Sequence, residues 1–134
     1  MSTMNRMHNA SNPNQTKAKR VLCVCSAGLL RSPTMANVLH KEFGWNTRAV
    51  GCSLDYALIE IDRVQIHWAD EVWFADKEHY EWSRQSTEDK TLLKDKYKVI
   101  LNIPDKYPWG DPELEGLILQ QARDHEIMAK AKGI

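Results

Sequence analysis

The chain has 134 residues, 43% of them hydrophobic, enough for one domain with a single packed core. Its 18 acidic residues balance 18 Lys and Arg, so the basic excess of a non-specific nucleic-acid binder is absent. No apolar run approaches the roughly 20 residues that span a membrane, no signal-peptide core opens the chain, and three cysteines (an odd number) do not suit a secreted disulfide framework. A reducing cytoplasm is the expected setting, with no nucleic acid and no membrane as partner and with oligomeric state left open.

Residues 1–18 are polar and lack an apolar period, and are expected to be a flexible arm ahead of one α/β domain over 19–134. A docking segment is the alternative reading of that arm. Residues 21–24 read as a short buried strand, followed by a loop from Cys25 to Arg31. A helix follows, with Ser32 as its expected cap, Pro33 in its first turn and Gly44 at its exit. Met35, Leu39 and Phe43 give it one apolar face.

A second strand is expected over 48–52. Ala57, Ile61, Val64 and Trp68 fit a second amphipathic helix. A third strand is expected over 71–75, a polar helix over 76–85 and a fourth strand over 97–103. Asp111 then caps a last helix, with Pro112 in its first turn and Leu114, Ile118 and Ala122 on one face. Strands alternating with helices predict a four-stranded parallel sheet with helices on both faces, a three-layer sandwich. Ligands of such sheets sit beyond the carboxyl ends of the strands, and Cys25 and Asp105 both fall at such ends.

The segment from Cys25 to Ser32 carries the clearest chemistry. A loop between a strand and a helix N-terminus turns backbone N–H groups inward and makes an anion cradle. Ser26, Ala27, Gly28, Leu29, Leu30, Arg31 and Ser32 are therefore expected to bind phosphate. Gly28 takes a positive φ at little cost, and the planar fork of Arg31 can hold two phosphate oxygens at once. Cys25 is the candidate nucleophile. A free thiol has a pKa of about 8.5, which a helix N-terminus and a nearby Arg lower. The Ser32 hydroxyl is placed to donate to the sulfur. The expected product of attack on phosphorus is a phosphocysteine that water hydrolyses. No cofactor or metal is needed for this.

Cys25, Arg31, Ser32 and Pro33 resemble, position by position, the Cys-x5-Arg-Ser-Pro signature of the low-molecular-weight protein tyrosine phosphatases. The chain departs from that pattern at Ala27-Gly28, where the family usually has Gly-Asn, and at Leu30, where it often has a second cysteine. The spacing between the second and third strands is also short, as in a compact branch of the family. The resemblance implies hydrolysis of a phosphotyrosine protein or small aryl phosphate, with a late-loop Asp as proton donor. Asp105, in Ile103-Pro104-Asp105-Lys106-Tyr107, is the favoured general acid. Asp111 is the second candidate, but its place before Pro112 and Glu113 suits a helix cap, which holds a carboxylate ionised. Tyr107 and Trp109 could wall a substrate pocket for an aromatic ring, with Tyr56 a weaker candidate for the opposite wall.

The five histidines (His8, His40, His67, His79 and His125) are scattered without metal-ligand spacing, so they read as ordinary surface or partly buried residues. Trp45, Trp68, Trp73 and Trp82 read mostly as core. Cys23 reads as core packing, and Cys52 at a strand end leaves a reversible disulfide with Cys25 open. Three other functions compete with hydrolysis. A phosphocysteine phosphocarrier shares the Cys-x-Ala-Gly start, but Arg31 and Asp105 favour hydrolysis. A non-catalytic phosphate-binding module would use the same loop. Arsenate reduction needs a downstream cysteine pair, and none follows Cys52.

Overall fold

The alternation of side chains along a strand decides which residues face which layer. It can be followed here over residues 9–10, 18–25, 31–51, 61, 63–83, 93–104, 106–107 and 111–133, which a computed structural model of the protein describes. In chain order the elements are β1 (Asn9–Ala10), β2 (Arg20–Cys25), α1 (Arg31–Phe43), β3 (Asn46–Gly51), α2 (Arg63–Trp68), β4 (Glu71–Phe74), α3 (Lys77–Ser83), β5 (Tyr97–Ile100) and α4 (Pro112–Ala131).

In β2, Val21, Cys23 and Cys25 face one core, shared with Met35 and Leu39 of α1 and Leu114, Ile118 and Ala122 of α4. Leu22 and Val24 face a second core, with Ile66 of α2, Val72 and Phe74 of β4, and Leu93. Because both faces are covered, five consecutive residues of β2 are buried. Trp73 of β4 joins the first core, so β4 alternates in step with β2.

The sheet order is β1-β3-β2-β4-β5. The four longer strands, β3, β2, β4 and β5, are all parallel, as the alternation of strands and helices predicts. The antiparallel pair of β1 with β3 is an addition, in which Asn9 and Ala10 lie opposite Arg48 and Thr47 on the outer edge of β3. An unpaired edge offers N–H and C=O groups to any extended segment within reach, and the chain's own N-terminal part supplies one.

The helices follow local rules, with two differences from expectation. Helix α1 ends as predicted: Gly44 takes φ 72°, and its N–H bonds the His40 carbonyl at 2.9 Å. It begins at Arg31, however, so Ser32 lies inside the first turn and does not cap it. Its hydroxyl is engaged elsewhere, as described below. Helix α2 is only six residues long and buries Ile66, while Val64 is 68% exposed. Of the apolar face expected over Ala57, Ile61, Val64 and Trp68, Ile61 and Trp68 pack against the second core, Val64 turns to solvent, and Ala57 lies outside the described residues. The β5 ladder ends at Ile100, but two further bonds, Leu101 N–H to Phe74 O and Ile103 N–H to Ala75 O, carry the chain along β4. Helix α4 starts at Pro112 with Leu114, Ile118 and Ala122 buried, as its spacing predicts. None of the described helices is long and apolar enough to cross a membrane.

Candidate active site

The sheet order makes a crevice. From β2 the chain passes through α1 to β3 on one side, then crosses over to β4 on the other. Connections that leave in opposite directions open a gap at the carboxyl ends of the strands, where ligands of open α/β sheets bind. Cys25 is the last residue of β2 and Arg31 the first of α1, so both lie at that gap.

Cys25 Sγ is buried and lies 3.1 Å from Ser32 Oγ. The Ser32 hydroxyl also lies 3.3 Å from the Val50 carbonyl near the end of β3, to which it donates. This is the engagement that takes Ser32 away from capping. The alternate cysteine is different. Cys23 is fully buried in the first core; burial first, and then the charge of Cys25, push its thiol far above the usual range. It is held protonated and unreactive, in keeping with a packing role.

Arg31 is only 7% exposed, which an arginine tolerates when its N–H groups are paired. Nη1 donates to the Ile103 carbonyl at 3.0 Å, and Nη2 lies 3.1 Å from His79 Nε2. The guanidinium thus joins three strand ends: β2 through α1, β4 through α3, and β5 through Ile103. Ile103 is itself fixed by its bond to Ala75 just after β4.

His79 is the residue that sequence reasoning set aside. It sits in the first turn of α3 and is 2% exposed. Asp76 shapes that turn, since its carboxylate accepts from Glu78 N–H at 3.1 Å and its carbonyl from His79 N–H at 3.1 Å. The available signal was positional: His79 follows β4 closely, at the same sheet end as Cys25. It becomes readable only once β4 is known to neighbour β2.

Asp111 proves to be a cap. Its Oδ1 accepts from Glu113 N–H at 2.8 Å, with extended backbone at Asp111 and Pro112 opening the helix. Tyr107 packs against the core under α1 and α4, donates to Glu113 Oε1 at 3.4 Å, and carries the Lys106 ammonium 5.2 Å from its ring centre. Ser26, Ala27, Gly28, Leu29, Leu30, Cys52, Tyr56, Asp105 and Trp109 lie outside the described residues.

Solved structures that include named phosphatases share this central parallel sheet and the helices packed on it. Wzb of Vibrio vulnificus, solved with benzylphosphonate, superposes with a TM-score of 0.61 over 87% of this chain and 99% of its own, at 19% identity. The YwlE arginine phosphatase of Geobacillus stearothermophilus gives 0.58 over 84% and 96%, at 17% identity. The tyrosine phosphatase Wzb of Escherichia coli K30, solved with phosphate, gives 0.59 over 80% and 95%, at 18% identity. The chain has the fold of these low-molecular-weight phosphatases, as its sequence resemblance implies. No family model matches the chain, and no curated protein matches it by sequence.

Proposed function

We propose that this protein is a cysteine-dependent phosphomonoester hydrolase of the protein tyrosine phosphatase type. The observation that carries the reading is the 3.1 Å pairing of Cys25 Sγ with Ser32 Oγ, beside the buried Arg31 guanidinium, at the carboxyl end of the central strand. The Cys25 thiolate attacks phosphorus while the N–H groups of residues 26–32 and the Arg31 fork hold the phosphoryl oxygens. The bond from phosphorus to the leaving oxygen breaks, and Asp105 gives that oxygen its proton. Water then attacks the phosphocysteine, Asp105 takes back a proton, and phosphate leaves with the thiolate restored. Asp105 is preferred over Asp111 because the Asp111 carboxylate is committed to the Glu113 N–H. Tyr107 and Trp109 are proposed for the substrate side, and a reducing compartment such as the cytoplasm would keep the nucleophile free.

The fold is shared with a tyrosine phosphatase and with an arginine phosphatase, so phosphotyrosine and phosphoarginine are the two substrates to compare. Phosphotyrosine is favoured by the resemblance and by the aromatic residues at 107 and 109. The purified protein should hydrolyse p-nitrophenyl phosphate in the presence of a metal chelator, and Cys25→Ser should abolish this. Full activity in Cys25→Ser would sink the mechanism. Parallel assays with phosphotyrosine and phosphoarginine peptides rank the two substrates.

A further inference from the structure

We infer that His79 is a positioning residue that aims the Arg31 guanidinium at the phosphoryl group, an inference that rests on the phosphatase reading. A guanidinium carries five N–H donors and no acceptor, and it keeps its proton in proteins. Arg31 Nη2 lies 3.1 Å from His79 Nε2, with both side chains buried. That nitrogen must therefore accept, which makes His79 a neutral imidazole with its hydrogen on Nδ1. The carbonyl of Ile103 accepts from the other terminal nitrogen at 3.0 Å. Two acceptors on two separate nitrogens fix the rotation of the guanidinium plane as well as its place.

The identity of the acceptors has a consequence for binding. A carboxylate in the place of His79 would also hold the guanidinium, but would cancel its charge. A neutral imidazole and a neutral carbonyl orient Arg31 without cancelling its positive charge. A long side chain held in this way has less rotamer freedom to lose when phosphate arrives, and donors fixed in advance need no reorganisation at the transition state. The first turn of α3 fixes the backbone that carries the ring: Asp76 sets the turn, and Ser83 Oγ donates to the His79 carbonyl one turn later at 2.8 Å.

The test compares His79→Leu, which removes the acceptor, with His79→Gln, whose amide oxygen can take its place. Steady-state kinetics on p-nitrophenyl phosphate and direct binding of inorganic phosphate are measured on both variants and the parent. In His79→Leu both kcat/KM and phosphate affinity should fall about tenfold to a hundredfold, the range for losing one hydrogen bond to a charged group. His79→Gln should recover most of that loss. Parental behaviour in His79→Leu, or equal losses in both variants, would overturn the inference. If the parent itself has no phosphatase activity, the phosphatase reading fails, and the phosphate-binding comparison still decides the role of His79. If His79→Leu does not fold, nitrogen-15 NMR of the parent decides. A neutral ring with hydrogen on Nδ1 upholds the inference, and hydrogen on Nε2 overturns it.

Discussion

Aspartates 105 and 111 lie six positions apart and would be hard to rank by residue type alone. Their loss should be felt in different measurements. Asp111→Asn keeps the size of the side chain and an acceptor for Glu113 N–H but removes a negative charge from a helix N-terminus, so it should cost about 0.3–1 kcal/mol of stability. Turnover should stay close to the parent. Asp105→Asn removes a transferable proton and should slow turnover by about a hundredfold or more, while phosphate or vanadate still binds. Thermal unfolding and kinetics on the two variants give this double contrast, and the reverse pattern would move the general acid to Asp111. The nearness of Cys25 to Ser32 was legible, because a strand end and the helix that starts soon after it keep such residues close. His79 was not, because a lone histidine in a polar helix carries no such signature. Its role appears only when Arg31 is seen lying 3.1 Å away across the fold.

Helix α4 shows what local patterning can establish. Its cap, its initial Pro112 and its buried spacing all agree, and the structure follows each of them. Ile118 is fully buried between α4 and the sheet. Ile118→Ala should therefore cost about 2–5 kcal/mol, seen as a lower midpoint in chemical denaturation with the denaturant slope unchanged. Helix α2 shows the limit of the same reasoning. Over six residues a helical period has too few repeats to distinguish one face from another, and packing on β2 and β4 selected Ile66 over Val64. The first turn of α1 fails for a different reason. Serine at a helix start usually serves the helix, but here its hydroxyl serves Cys25 and Val50.

The alternation of elements predicted a parallel sheet between helices but could not order its strands, since the crossover from β3 to β4 leaves no local trace. One ion pair helps to hold the central pair of strands in register. Arg20 at the start of β2 gives its N–H to Asp70 at 2.9 Å and its guanidinium at 3.3 Å, while Asp70 N–H returns a bond to the Arg20 carbonyl at 2.7 Å. Partial burial acts to raise the Asp70 pKa, but the bonds and charge from Arg20, with the charge of Lys96, outweigh it and hold the carboxyl below its ordinary value. Stability from this group is present above the unfolded carboxyl pKa of about 3.9 and is lost as pH falls through the lower folded value. Asp70→Asn should flatten the acid limb of a stability–pH profile by only about 0.2–1 kcal/mol, because the pair is half exposed and solvent screens it. An unchanged acid limb would show that the backbone bonds alone keep β2 and β4 aligned.

Ser32 has one hydroxyl hydrogen and two neighbours that can claim it. While Cys25 is a thiol, its own S–H can point at Ser32 Oγ, and the serine hydrogen goes to the Val50 carbonyl 3.3 Å away. Once Cys25 is a thiolate, the sulfur also becomes an acceptor, and a single hydrogen cannot serve both. Turning it toward sulfur withdraws it from β3. The bonding around Cys25 and the bonding at the end of a neighbouring strand are thus coupled through one hydrogen.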